Sequence, residues 1–113
     1  MSGIAALAAN QLSAYNQADL EAFVACYHRD VRVLTGEEET LRGREAFRER
    51  YGALFRDWDF GAEVLKRVHY ATHCVDLERW WRTDPKSGEY SEGMVLVRYE
   101  QRDDLIGTVQ FLR

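Results

Sequence analysis

The chain has 113 residues, of which 46% are hydrophobic and 12% aromatic, and its formal net charge is −4. That length suits one domain spanning residues 1–113 with a real apolar core, and the mild acidity excludes the basic footprint of a nucleic-acid binder. No run approaches the roughly 20 apolar residues of a membrane span, the opening MSGIAALAAN lacks the positive start of a signal peptide, and Cys26 and Cys74 form neither a disulfide framework nor a zinc signature, so a cytoplasmic protein with reduced thiols is expected.

Ile4, Leu7, Ala8, Leu12 and Tyr15 recur at helical spacing, with Gln11 on the same face, which predicts a first helix ending near Asn16. Asp19 is a good N-cap for a second helix. Its apolar stripe is Leu20, Phe23, Val24 and Tyr27, and His28, Arg29 and Asp30 close it. Residues 31–35 read as a short strand, 36–40 as a charged turn, and 41–42 as a second short strand that Gly43 breaks. The third helix carries Phe47, Tyr51, Leu54, Phe55 and Trp58 on one side. Arg44, Glu45, Arg48, Glu49 and Arg56 make its other side, a solvated face. From Phe60 the period changes to two, over residues 62–70, 72–83, 90–101 and 105–112. Residues 84–88, with the single proline, and 102–104 are the turns between the later strands. Four strands with short connections predict an antiparallel meander, and the helices are its available cover.

Three stretches and the ending carry a family resemblance. They are Tyr15-Asn16-Gln17-Ala18-Asp19-Leu20-Glu21-Ala22-Phe23, residues 27–33, Leu41-Arg42-Gly43-Arg44-Glu45-Ala46-Phe47, and Asp104-Leu105-Ile106-Gly107-Thr108-Val109-Gln110-Phe111. Together they resemble the nuclear transport factor 2-like family, in its polyketide-cyclase (SnoaL-like) and ketosteroid isomerase-like branch, over nearly the whole chain. The resemblance implies an α+β fold: a cone-shaped, strongly curved antiparallel sheet with three N-terminal helices packed on its concave face, enclosing a pocket. It also implies a homodimer formed through the outer sheet face. These stretches are marks of the fold, since Asp19 caps a helix, Gly43 lets the chain turn and Phe47 packs the core.

Ketosteroid isomerase, an enzyme of this fold, uses an aspartate base with a tyrosine and a protonated aspartic acid as oxyanion hole. Counted from Asp19-Leu20, the base position falls at Thr35, the tyrosine at Gln11 and the acid near Val95. One supporting tyrosine matches, at Tyr51. A threonine is no carboxylate base and a valine cannot donate a hydrogen bond, so steroid isomerisation by that mechanism is not expected. The His-Tyr-Asp dehydratases and Asp-Arg-Asp epoxide hydrolases of the fold have no matching local motif here.

Within residues 72–83, Asp76, Glu78 and Trp80 share one face of a strand. Val75, Leu77 and Trp81 share the other with Arg79. The family register turns His73, Val75, Leu77, Arg79 and Trp81 toward the pocket and leaves Asp76 and Glu78 outside, a choice that a one-residue slip would reverse. Arg79, if inside, needs an anionic partner, either a ligand carboxylate or Glu100. His73 is a candidate acid–base group; on a continuous strand it would lie roughly 13 Å from His69, too far to share a metal ion. The expected pocket is therefore Gln11, Tyr15, Thr35, Tyr51, Phe55, His73, Leu77, Arg79, Trp81, Val95, Val109 and Phe111. Tyr51, His73 and Arg79 are its catalytic candidates, and neither metal nor cofactor is expected. No Gly-rich phosphate loop, Gly-x-Ser-x-Gly elbow or catalytic Cys–His signature is present.

The first functional reading is a small-molecule-binding protein with a largely apolar pocket, taking an apolar or aromatic molecule, neutral or anionic. The alternatives are an isomerase, cyclase, dehydratase or hydrolase working through pocket Tyr, His and Arg, and a protein–protein interaction module. A cavity above about 300 Å³ with convergent polar groups favours the first two. A filled core with an exposed apolar patch favours the third. A strongly shifted pKa at His73 or a pocket carboxylate favours the enzyme.

Overall fold

Hydrophobic spacing gives α1 (Ile4–Asn16) a face of Ile4, Leu7, Ala8, Gln11 and Ala14, all buried, the stripe that a helix needs to lie on a sheet. The computed structural model to which α1 belongs describes residues 3–112; Met1, Ser2 and Arg113, which the expected domain includes, lie outside the described residues. Asn16 ends α1 and ties it down. Its side-chain amide donates to the Ala62 carbonyl and accepts from the Ala62 amide, both at 2.9 Å. Ala18, at φ 54°, reverses the chain. Asp19 then caps α2 (Leu20–Val24), its carboxylate accepting from the Ala22 amide at 3.1 Å, as the sequence leads one to expect.

Two boundaries depart from expectation. Helix α2 stops at Val24, and residues 27–30 open the strand β1 (Tyr27–Thr35) instead of closing a helix. The spacing of Phe23, Val24 and Tyr27 suits either period, and the β-branched and aromatic content of the following residues decides for strand. The supposed charged turn is largely strand as well: β2 is Glu38–Arg42. Glu39 is held there by Arg32 across the ladder at 2.6 Å and by Arg42 of its own strand at 2.8 Å, a neutralisation that lets a charged segment pair. Gly43 adopts φ 94°, which a side chain would resist. Helix α3 (Arg44–Asp57) follows, then the strands β3 (Asp59–Tyr70), β4 (His73–Thr83), β5 (Tyr90–Arg102) and β6 (Leu105–Leu112).

The six strands form one sheet in the order β2-β1-β6-β5-β4-β3. Strands β3 to β6 are the expected antiparallel meander. The sheet is nonetheless mixed, because β1 lies parallel to β6. Register shifts interrupt four of the five pairings, and such bulges bend and twist strands, curving the sheet toward the helices. Helix α1 lies against β3, β4, β5 and β6, and α3 against β1 and β2. At the centre, Phe23 meets Tyr15, Tyr27, Phe47, Tyr51 and Phe55 at ring-centroid distances of 5.0 to 5.7 Å. Tilted and stacked ring contacts of this kind add to simple area burial. No helix among the described residues is long and apolar enough to cross a membrane.

Candidate functional site

Strand β4 decides what the concave face presents. Cys74 and Asp76 have no exposure, and Glu78, Trp80 and Arg82, on the same parity, line a cavity under the helices. His73, Val75, Leu77, Arg79 and Trp81 therefore face outward, the reverse of the expected register. The expectation put the more apolar stripe inside. The inward stripe is instead made tolerable by its partners. Arg67, paired across β3–β4, donates to both oxygens of Asp76 at 2.7 and 2.9 Å. Trp80 lies flat against Gly93 of β5, where a Cβ would come within 2.7 Å of the indole.

The outward residues are accounted for on the surface. Arg79 pairs with Glu63 at 2.8 Å and Glu92 at 3.3 Å, not with Glu100, and its guanidinium sits 4.6 Å over the Trp81 ring. His73 is exposed and faces Glu100 at 3.8 Å and Arg98 at 3.3 Å. Leu77 occupies a cross-strand row with Lys66 and Leu96. Phe55 packs behind the cavity wall on Tyr15 and Phe60 at 5.6 and 4.9 Å. Neither His73 nor Arg79 is among the residues that line the cavity. No cluster among the described residues could hold a metal ion.

The cavity measures about 270 Å³. Its floor is the buried set Gln11, Phe23, Tyr27, Tyr99 and Val109. Its rim is the half-buried set Leu12, Tyr15, Thr35, Tyr51, Glu78, Trp80, Arg82, Val95 and Phe111. Of the expected residues, Gln11, Tyr15, Thr35, Tyr51, Val95, Val109 and Phe111 come together here. Glu78, Arg82 and Tyr99 are the chemistry-bearing residues that sequence reasoning placed elsewhere or passed over; Trp80 is an aromatic the sequence offers for a pocket wall while setting it on the stripe of Glu78. One signal for them existed: a glycine inside a strand, at Gly93, marks a close approach, and Trp80 is its partner in the ladder.

Gln11 organises the floor. Its amide nitrogen donates to the Ala8 carbonyl at 3.0 Å and to the Tyr99 hydroxyl at 3.1 Å, while the Tyr27 hydroxyl donates to its amide oxygen at 2.9 Å. Tyr99 thus receives a hydrogen bond and keeps its own proton to give. Burial holds the Tyr27, Tyr51 and Tyr99 hydroxyls well above the usual phenol range and pushes Tyr15 up to about 12, so all four are neutral donors.

Glu78 is the group that titrates. Burial, and then the charge of Asp76 two residues away, raise its carboxyl from the ordinary value to about 7. Arg82 is the cation of the wall. Its guanidinium lies 5.0 Å from the Trp80 ring centroid and 6.0 Å from that of Trp58, and its Nε is buried with no hydrogen-bond partner among the described residues. A carboxyl poised near neutrality can move a proton, and a planar guanidinium fork can hold an oxyanion.

A second hollow, of about 650 Å³, lies between the end of α3 and the β4–β5 turn, lined by Arg56, Asp57, Trp58, Asp84, Pro85 and Lys86. Its charges are largely surface groups, Arg56 pairing with Asp57 at 3.2 Å. It has no buried floor, so the cavity under the helices is the candidate site.

The SnoaL-like domain model matches residues 8–107 of the chain. Among curated proteins, none matches at a significant level. Solved structures do. The chain is similar to an uncharacterized cystatin-fold protein from Novosphingobium aromaticivorans, at 21% identity and a TM-score of 0.88 over the whole of both chains. It is similar to a Delta 5-3-ketosteroid isomerase from Mycobacterium sp., at 18% identity and a TM-score of 0.88, over all of this chain and 94% of that one. It is also similar to a computationally designed 17-OHP binder, at 13% identity and a TM-score of 0.88, over all of this chain and 94% of that one. At these identities the likeness to solved structures is one of fold.

Proposed function

The chain belongs to the SnoaL-like domain family, within the nuclear transport factor 2-like superfamily, and from that premise we propose that it binds a small organic molecule in the cavity under its helices. One observation carries the proposal: a cavity of about 270 Å³, just under the expected value of about 300 Å³, is lined by aromatic side chains together with Glu78, Arg82 and Tyr99. A few fixed polar groups in an apolar concavity are what orient a ligand while its body is desolvated. Size restricts the ligand. A cavity of about 150 Å³ holds benzene, so this one suits a body of about one or two rings. A four-ring steroid exceeds it, although one fold neighbour is a ketosteroid isomerase.

The proposal includes the rest of the unit. Residues 1–113 act as one domain, in the cytoplasm, with Cys26 and Cys74 as free thiols. The protein is a homodimer through its outer sheet face, which exposes Leu65, Val68, Met94 and Leu96. Apolar side chains exposed on one sheet face suit an association site.

Glu78 favours a second reading, an enzyme of the isomerase, cyclase or hydrolase kind. A carboxyl raised to about 7 inside an apolar cavity is matched to proton transfer near neutral pH. The ketosteroid isomerase set is replaced, since Gln11, Thr35 and Val95 all line this wall. Catalysis would rest on Glu78 as the acid–base group, with Tyr99 or Tyr51 donating to a carbonyl oxygen.

Native mass spectrometry of the purified protein, before and after exposure to a metabolite extract, tests the binding role. A small organic molecule released on denaturation is expected. A protein that carries none and gains none would overturn it.

A further inference from the structure

We propose that Arg82 is the recognition residue for a carboxylate carried by the ligand of this cavity. The inference rests on the binding role proposed above and adds the charge class of the ligand. It begins with an orphaned donor. The guanidinium of Arg82 meets the Tyr15 hydroxyl, but its Nε is buried and no described residue offers that nitrogen an acceptor. Buried charged donors are costly to leave unpaired. Two other arginines of β3 and β4 show the usual arrangement: Arg67 has Asp76, and Arg79 has Glu63 and Glu92.

The guanidinium is also held in place. Trp80 and Trp58 lie 5.0 and 6.0 Å from it, and Trp80 is itself fixed against Gly93. A fork whose position is set by stacking before the ligand arrives costs little entropy to engage, and its planar geometry matches a carboxylate. Among the described residues lining the cavity, Arg82 is the one permanent cation and Glu78 the one carboxyl. Glu78 does not engage the Nε of Arg82, which has no hydrogen-bond partner among the described residues.

A pH dependence follows. The charged and titratable groups around Glu78 are Asp76 on the same strand, Tyr15 of α1, Tyr51 of α3, Tyr27 of β1, Tyr99 of β5 and Arg82. The tyrosines stay neutral, and Asp76 is bound by Arg67. Glu78, whose carboxyl is raised to about 7, is the cavity-lining group that changes charge near neutrality. Below about 7 the cavity is cationic; above it, Glu78 ionises and opposes an anionic ligand.

The test measures binding of naphthoate and its neutral isostere naphthamide by tryptophan fluorescence and calorimetry. Wild type is expected to prefer the acid by about tenfold near pH 6, a charge-assisted hydrogen bond being stronger than a neutral one. Arg82→Gln is expected to abolish the preference, and Arg82→Lys, which keeps the charge and lacks the fork, to leave part of it. The wild-type preference should shrink several-fold by about pH 8 and become flat with pH in Glu78→Gln. Equal binding of acid and amide by wild type, or a preference that survives in Arg82→Gln, would overturn the role of Arg82 and leave the binding cavity standing. Failure of both probes to bind at either pH would overturn both.

Discussion

Glu78 and Gln11 are polar residues kept in a largely apolar cavity, and each has a thermodynamic signature. The carboxyl of Glu78 has its pKa raised to about 7 by burial and by Asp76. Between its unfolded value, about 4.3, and about 7, the folded chain binds more protons than the unfolded one. Stability therefore falls as pH rises through that window and levels off above it. Glu78→Gln should remove this slope and be more stable than wild type at about pH 8, by on the order of 2 kcal/mol. Urea unfolding at about pH 5 and about pH 8 reads the difference; an identical pH slope in both proteins would contradict the assignment. Gln11 serves two buried hydroxyls at once. Gln11→Leu should cost on the order of 3 kcal/mol by stranding Tyr27 and Tyr99, and adding Tyr27→Phe should recover part of that loss. In the cavity wall, Tyr15 was legible from the helical spacing of α1, and Gln11, Thr35 and Val95 from the family resemblance counted from Asp19-Leu20. Glu78 and Arg82 were not. Both parities of β4 carry a tryptophan and charges, and a period of two does not say which face is buried.

At the scale of elements, the inward-facing half of β4 depends on its neighbour β3. Asp76 has no exposure, and Arg67 neutralises it through two hydrogen bonds. Removing one partner of a buried pair leaves the other uncompensated. Arg67→Met should thus cost about 3–5 kcal/mol in denaturant unfolding; a loss below about 1 kcal/mol, the range of a surface pair, would show that the pair is not the anchor. Helices α1 and α3 and the four-strand meander were legible from amphipathic spacing, alternation and the turns between. The start of β1 was not, because Phe23, Val24 and Tyr27 satisfy both periods. The parallel pairing of β1 with β6 was not legible either: consecutive strands announce their pairing through short turns, whereas this contact joins residues some seventy positions apart and has no local sign.

For the whole molecule, the curved sheet does two things with its two faces. The concave face and the helices enclose the cavity. The convex face leaves Leu65, Val68, Met94 and Leu96 exposed, and Leu96 pairs across the ladder with Leu77 and Leu112. If this face joins two copies, Leu96→Lys should shift sedimentation from dimer to monomer while the far-ultraviolet circular dichroism is unchanged. A wild-type monomer at high concentration would remove the dimer from the account. The family fold and the existence of a cavity were readable from the sequence, but its polar equipment depended on one strand register. The most direct measurement is amide chemical-shift mapping of the intact protein with naphthamide, a neutral two-ring probe. Shifts are expected at Gln11, Glu78, Trp80, Tyr99 and Val109, in the floor and rim of the cavity. Shifts confined to the convex face or to the hollow near Trp58 and Asp84, with the cavity residues unmoved, would contradict a ligand site under the helices.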